Sequence, residues 1–385
     1  MTKTGTHGVT SRAVGDLSGV KASGVNYYFG GREGLLTSAF ELTRVRADQW
    51  RERWLSGLAD GPPVGAFHGW FAMALQDHAF GQAPIRSVLR ELSLDAARSP
   101  LRQSLALAES EAADGFWAEV LKAFSLDATR AGLVADFASG MATLHTHRPG
   151  SPLQLAWFAE TCARFSARIV DPSATAGWDG WRLALLERPS HQPDGDRGAA
   201  LLPGAVAVVG RHGLGGLTHR AVAREAGASL AAVTGRFPTR AALVQGVFEA
   251  LQADLLREPP LESLRGGPMN TRTLALGIAG SAISPDGAPA TTMLAIIELL
   301  GAAGRDPQLL EGLLVVRAGR GETTLRLGSA MLAERQGARQ IDSLDAHTLS
   351  TLSFGAILGA FARAPAARQD WLIRRIHSHY DWLTG

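Results

Sequence analysis

The chain has 385 residues, 46% of them apolar, and a formal charge of only +2, which suits two or three globular domains and excludes a disordered or broadly basic chain. Its one cysteine, Cys162, excludes an internal disulfide and any cysteine-based zinc cluster. The polar start Met1-Thr2-Lys3-Thr4 is unlike a signal peptide, and the apolar run at 293–300 is short and broken by Glu298, so a cytoplasmic protein with no membrane span is expected.

Ala, Leu, Arg and Glu fill the long segments, and few stretches alternate as a half-buried strand would, so the predicted class is all-α. Thr10 can cap a helix over roughly 11–17, with Ala13, Val14 and Leu17 inward. Gly19, in Ser18-Gly19-Val20, supplies a tight turn. A second helix then runs from about Lys21 to Tyr28, with Val25 inward and Phe29 packed behind it. Gly30-Gly31 breaks the chain before Arg32-Glu33-Gly34-Leu35-Leu36 opens a long helix. Leu101, Leu105, Leu107, Phe116-Trp117, Val120-Leu121 and Phe124 recur at helical spacing further on.

His145-Thr146-His147 and His377-Ser378-His379 each place two histidines two residues apart, on different faces of a helix. With no carboxylate or cysteine nearby to complete a zinc set, surface histidines are expected. Cys162 lies between Phe158 and Phe165 in an apolar helical stretch, which fits an inert buried thiol rather than a nucleophile. The stretch from Glu187 to Gly198 is polar, carries two prolines and two glycines, and lacks periodicity, so it reads as an exposed linker.

The second part opens with a short apolar helix over about 201–213. The glycine-rich run Gly210-Arg211-His212-Gly213-Leu214-Gly215-Gly216 follows that helix rather than a strand, so it is a helix stop and not a nucleotide loop. Thr218 caps, Gly227 turns, Ser229–Arg236 forms a short helix, Phe237-Pro238 closes it, and Arg240 opens a long one. Beyond Asp306-Pro307, apolar residues from Leu309 to Leu325 keep helical spacing, and a further helix runs from about Ser343 to Phe361.

These two parts repeat each other. Gly8-Val9-Thr10-Ser11-Arg12-Ala13-Val14 returns as Gly216-Leu217-Thr218-His219-Arg220-Ala221-Val222, an offset of 216 − 8 = 208. Without a gap, Gly19, Val25, Phe29, Arg32, Leu35, Phe40 and Glu41 fall on Gly227, Val233, Phe237, Arg240, Leu243, Phe248 and Glu249. So long an offset fits a duplicated domain rather than a solenoid repeat. The helix at 201–213 would have its counterpart at about −7 to 5, so the first copy lacks most of its first helix. Either the chain starts downstream of its true beginning, or the first copy is damaged.

Val25-Asn26-Tyr27-Tyr28-Phe29-Gly30-Gly31-Arg32-Glu33-Gly34-Leu35 resembles the helix-turn-helix head of the TetR family of transcriptional regulators. Gly227-Ala228-Ser229 through Phe237-Pro238-Thr239-Arg240-Ala241-Ala242-Leu243 resembles it too. The resemblance covers about 35 residues in the first copy and about 45 in the second, and the remaining helices agree in pattern. It implies two tandem TetR-like units, packed within one chain as a pseudo-dimer. Their bounds are 1–45 for the first head, 46–187 for its helical ligand-binding and dimerisation region, 188–198 for the linker, 199–253 for the second head and 254–385 for its helical region.

By position, the resemblance places Thr10 and Thr218 as caps against phosphate, Arg12 and Arg220 in the major groove, and Arg32 and Arg240 on phosphate. The first recognition helix would expose Lys21, Ala22, Ser23, Asn26, Tyr27 and Tyr28, and the second Ser229, Leu230, Ala231, Thr234, Gly235 and Arg236. Arginine suits guanine edges or phosphate, and hydroxyls or asparagine suit bases or backbone. Asn26 and Thr234 stand where the family often has a phosphate-gripping tyrosine, and Tyr28 and Arg236 where it often has histidine.

The implied function is a ligand-responsive regulator, of the repressor type most frequent in the family, reading an asymmetric operator in double-stranded DNA through two unlike heads. A small-molecule effector is implied, but no cofactor, metal or enzymatic activity, and further pairing of chains is left open. Phe67, Trp70, Phe71, His78, Phe80, Trp117 and Phe137 could line the effector pocket or simply form an aromatic core. The alternative function is a helical ligand-sensing or interaction protein of TetR-like ancestry, with one or both heads no longer binding DNA.

Overall fold

A computed structural model describes residues 1, 5–145, 152–175, 200–256, 270–306, 309, 313–314, 317, 319–333 and 341–384. Their regular elements are helices, joined by one isolated bridge between Ile283 and Pro289, so the fold is all-α. The first part of the chain contains α1 (Ser11–Ser18), α2 (Ala22–Phe29), α3 (Arg32–Ser56), α4 (Phe67–Gln76), α5 (Ala83–Arg98), α6 (Gln103–Ala123), α7 (Ala131–Leu144) and α8 (Pro152–Val170). The second contains α9 (Leu202–Gly216), α10 (His219–Glu225), α11 (Leu230–Arg236), α12 (Arg240–Leu256), α13 (Thr271–Ala282), α14 (Thr291–Ala303), α15 (Glu322–Ala333), α16 (Ser343–Phe361) and α17 (Pro365–Thr384). The linker expected at 188–198 lies outside the described residues, as does much of the helix expected after Asp306-Pro307.

The two parts meet along α7 and α16, the most extensive helix pair in the fold. Glycine makes that contact possible. A Cβ on Gly140 of α7 would stand 2.1 Å from the Thr351 carbonyl oxygen, and one on Gly355 of α16 would stand 1.9 Å from that of Asp136. Backbone therefore lies on backbone, closer than any side chain would allow. The N-terminus of α16 is fixed at the same time. Asp342 caps it by accepting from the Asp345 amide, and both carboxylates also accept from Arg164 of α8, at 2.7 and 2.8 Å. Arg168 of α8 pairs with the other oxygen of Asp345.

At the far side, Asp136 of α7 receives Arg375 (2.6 Å) and His379 (2.9 Å) of α17. Its carboxyl pKa is lowered: burial alone would raise it, and the combined pull of Arg375 and His379 prevails. His145 and His379 are thus both buried, where the sequence reading expected surface histidines, while His377 is half-buried against Asp381. The apolar surroundings of the helix ends, not the two-residue spacing, decide their burial. His147 lies outside the described residues.

The aromatic residues suggested for an effector pocket form a packed core instead. Phe67, Phe71, Trp117 and Phe137 are buried, with Phe71 near Trp117 at 5.7 Å and Phe137 stacked on Phe165 at 3.9 Å between ring centroids. A gap beside them, between Trp50 and His78, is ≈ 10 Å³, about the space of a water molecule. Cys162 is fully buried among these rings, and burial pushes its thiol pKa up. Leu101, first of the residues that recur at helical spacing, is exposed in the turn before α6.

Two outcomes follow from this packing. Gly355→Ala should lower the urea midpoint of the full chain by the equivalent of ~1–3 kcal/mol, because the α7–α16 crossing must open. Gly115→Ala, whose added methyl meets nothing within 4 Å, should leave it unchanged or raise it. Burial also lowers the pKa of His78, His145 and His379 below the ordinary 6.5, so these rings bind protons more readily once unfolded. Their contribution to stability is complete above pH 6.5 and is lost as pH falls below it; a thermal midpoint that stays flat between neutral pH and pH 5 would contradict this.

Candidate nucleic-acid interface

The second head is built from α9 to the start of α12. Gly213, at φ 67° and ψ 177°, breaks α9, a conformation that suits glycine. Thr218 then caps α10, its Oγ1 accepting from the Ala221 amide at 3.1 Å. Gly227, at φ 62°, makes the turn, and Ser229 caps α11 by accepting from the Ala232 amide at 3.1 Å. α9 lies so close to this motif that a Cβ on Gly204 would stand 2.9 Å from that of Ala226. Val208, Val209, Val222, Val233 and Phe237 fill the space between the helices.

Packing on one face leaves the other free. Ser229, Leu230, Ala231, Thr234, Gly235 and Arg236 are all exposed, as is Arg220 on α10. Thr234 Oγ1 donates back to the carbonyls of Leu230 and Ala231, at 3.0 and 3.2 Å. The Arg236 guanidinium rests 5.1 Å from the centre of the Phe237 ring, which anchors its base beside the exposed face. Arg240 donates to the Leu214 carbonyl at 2.6 Å and so ties α12 to the end of α9.

The first head repeats these devices. Thr10 caps α1 through the Ala13 amide at 3.1 Å, and Gly19 turns at φ 73°. Arg32 donates to the Thr6 carbonyl at 3.0 Å, the bond that Arg240 makes to Leu214. Arg12, Lys21, Ser23, Asn26, Tyr27 and Tyr28 are exposed, while Ala22 is half-buried. Ser11 Oγ donates to Oδ1 of the exposed Asn26, and Tyr27 and Tyr28 meet edge to face at 5.5 Å. Lys21 stands at the N-cap of α2 with no side-chain bond to the helix, unlike Ser229.

The heads differ in what covers them. Only a single tight turn, Thr6–Gly8, precedes α1 among the described residues. Leu17, expected to point inward, is 90% exposed, and Phe29 is 37% exposed where Phe237 is 3%. At the position matching Leu17, Glu225 pairs with Arg211 of α9. Among the described residues no helix packs over Leu17 and Phe29 as α9 packs over the second head. In its place the first head leans on α5: Val9, Val25, Leu35 and Phe40 share a core with Val88, Leu89 and Leu92. It also touches the second head, where a Cβ on Gly215 would stand 2.6 Å from His7 Cβ.

The residues that the sequence places on the two recognition faces are exposed along α2 and α11, save the half-buried Ala22. The sequence does not reveal that Arg32 and Arg240 each hold a backbone carbonyl of the preceding turn, a bond across 26 residues that leaves no local pattern.

Residues 201–247 match the family model of bacterial regulatory proteins of the tetR family. That span runs from the start of α9 into α12, the whole of the second head. No curated protein matches the chain. The match supports a DNA-binding transcriptional regulator of this family.

Phe237→Ala should weaken the second head by ~3–5 kcal/mol, and Phe29→Ala the first by only ~1–2 kcal/mol, since Phe29 is already partly in water. Amide exchange of α10–α11 and α1–α2 reads the two losses separately, and equal losses would contradict the difference in cover.

Proposed function

We propose that the chain is a ligand-responsive transcriptional regulator of the repressor type, carrying two unlike DNA-reading heads whose helical regions pack as subunits of a dimer would. The observation that carries this reading is the recurrence of one set of contacts at one spacing. Each pair, Thr10 with Thr218, Gly19 with Gly227, and Arg32 with Arg240, does the same job in its head, 208 residues apart. The packing of α7 and α8 against α16 and α17 adds support, because it joins matching regions of the two parts. Tethering makes the pairing of heads intramolecular, so it depends little on protein concentration.

The exposed faces fit different sequences. Arg236 and Thr234 on α11 suit a guanine edge and its neighbour, whereas Lys21, Ser23, Asn26 and Tyr27 on α2 offer a cation, hydroxyls and an amide. Thr10 and Thr218 sit at helix starts, where free amides and the helix dipole attract phosphate. Arg12 and Arg220 project from the first motif helices toward the same groove, and the operator is accordingly asymmetric, with half-sites about one helical turn apart. The exposure of Leu17 and Phe29 favours a second reading for the first head alone, as a helical module that no longer reads DNA.

Footprinting of the purified chain on its own upstream intergenic DNA, and on DNA selected from random sequence, tests this. One chain should protect two adjacent unlike half-sites, with affinity falling steeply as salt rises. Arg236→Ala should relax preference at one half-site by ~1–3 kcal/mol and leave the other unchanged. A selected palindrome would sink the two-unlike-heads reading, and protection of one half-site would leave the second head as the sole reader.

A further inference from the structure

A cavity of ≈ 160 Å³ lies where the two parts of the chain meet, between α5, the turn before it, α7 and the end of α14. Its walls combine small apolar groups, among them Ala79, Ala83, Pro84 and Ala142, with the guanidinium groups of Arg86, Arg90 and Arg305. Buried arginines normally carry their own carboxylates. Here they fall short. Glu109 is shared by Arg44 at 3.9 Å, Arg86 at 3.5 Å, and Arg51. Glu91 pairs with Arg305 at 3.4 Å. Glu298 is taken by Arg98 at 2.7 Å.

Arg90 is 7% exposed and makes no ion pair among the described residues. Its Nη2 donates to Ser87 Oγ at a long 3.4 Å, and its guanidinium fills the space beside Gly301, where a Cβ would stand 2.7 Å from Nη2. Burial pulls Arg86 and Arg90 down to about 10, and the opposing pull of Glu109 on the first and of Glu91 and Glu298 on the second only partly offsets it.

We infer that this cavity is a binding site for a small organic anion, its carboxylate held by Arg86, Arg90 and Arg305 and its apolar body set against the alanine walls. A cavity of this size accepts a body of about a benzene ring's bulk. The charge of such a ligand supplies the missing partner of Arg90, and arginine forks suit a planar carboxylate.

Position makes the site an effector site for the regulator proposed above. Glu91, one residue past Arg90, accepts from the Thr6 amide and hydroxyl, both at 3.3 Å, just ahead of α1 in the first head. Arg98, at the end of the same helix, donates to the carbonyls of Gly210 (3.0 Å) and Val209 (3.4 Å) in α9 of the second head. A shift of α5 on anion binding therefore reaches both heads. The coupling rests on the regulator reading, but binding itself is read without DNA.

Calorimetric titration of the full chain with benzoate, benzamide and inorganic phosphate tests the site. Benzoate should bind and raise the melting temperature. Benzamide, with the same bulk and no charge, and phosphate, with charge and no apolar body, should each bind at least about tenfold more weakly. Arg90→Met should abolish the benzoate response while keeping the helical circular dichroism. Arg305→Gln, at the cavity rim, should weaken it and serves if Arg90→Met fails to fold. Absence of benzoate binding, equal binding of benzamide or phosphate, or a benzoate response unchanged in both variants would overturn the proposal. Benzoate binding to a chain that reads no DNA would support the site and count against the regulator reading alone.

Discussion

The crossing of α7 and α16 is the constraint on which the rest of the molecule depends. Gly140 and Gly355 let two helix backbones from distant parts of the chain touch, and the neighbouring charges then have fixed positions. Asp136, whose own carbonyl lies under Gly355, receives Arg375 and His379 from α17. Asp345, nearly three turns before Gly355, receives Arg164 and Arg168 from α8. Buried pairs of this kind add little net stability against a well-packed apolar alternative. They do penalise any other register of the helices, since a slip would leave carboxylates and arginines buried without partners. The glycines set the distance and the ion pairs set the register.

α5 then acts as the beam between this fixed layer and the heads. Along one helix it carries Arg86 and Arg90 at the cavity, Glu91 against Thr6, and Arg98 against the end of α9. Its apolar residues Val88, Leu89 and Leu92 close the core of the first head. Most of its charged contacts reach other elements rather than its own turns, so its position follows from the balance among them. A helix held this way moves as a unit, and both ends respond to whatever changes the charge at its middle.

Much of this architecture was legible in the sequence, and the parts that were not share a physical character. The caps Thr10 and Thr218, the turn glycines and the helix over Ser343–Phe361 follow from local chemistry, which the sequence states directly. Exposed faces were also legible, because a helix with Val25 or Val233 inward has a definite outside. Leu17 departs from its expected place because its burial depends on a covering neighbour, and none stands over it among the described residues. His145 and His379 misled for the opposite reason: nothing within two residues signals that another helix covers them. The cavity at Arg86, Arg90 and Arg305 joins residues more than two hundred positions apart, so no local pattern could announce it.

The unequal cover of the heads has a mechanical meaning. The second head carries its own first helix, with Gly204 pressed on Ala226 and Phe237 closed off, so its three helices are held by contacts inside the head. The first head holds itself less. Its apolar core is completed by α5, its start is held by Glu91, and His7 sits against Gly215 of the other head. A head fastened from outside changes its stability whenever its supports move, while a self-contained head changes mainly its position. On the two-headed reading, one movement of α5 would therefore loosen the first head and tilt the second. Unlike recognition faces would then be matched by unlike modes of release, and the asymmetry of the sequence would extend from what each head reads to how each lets go.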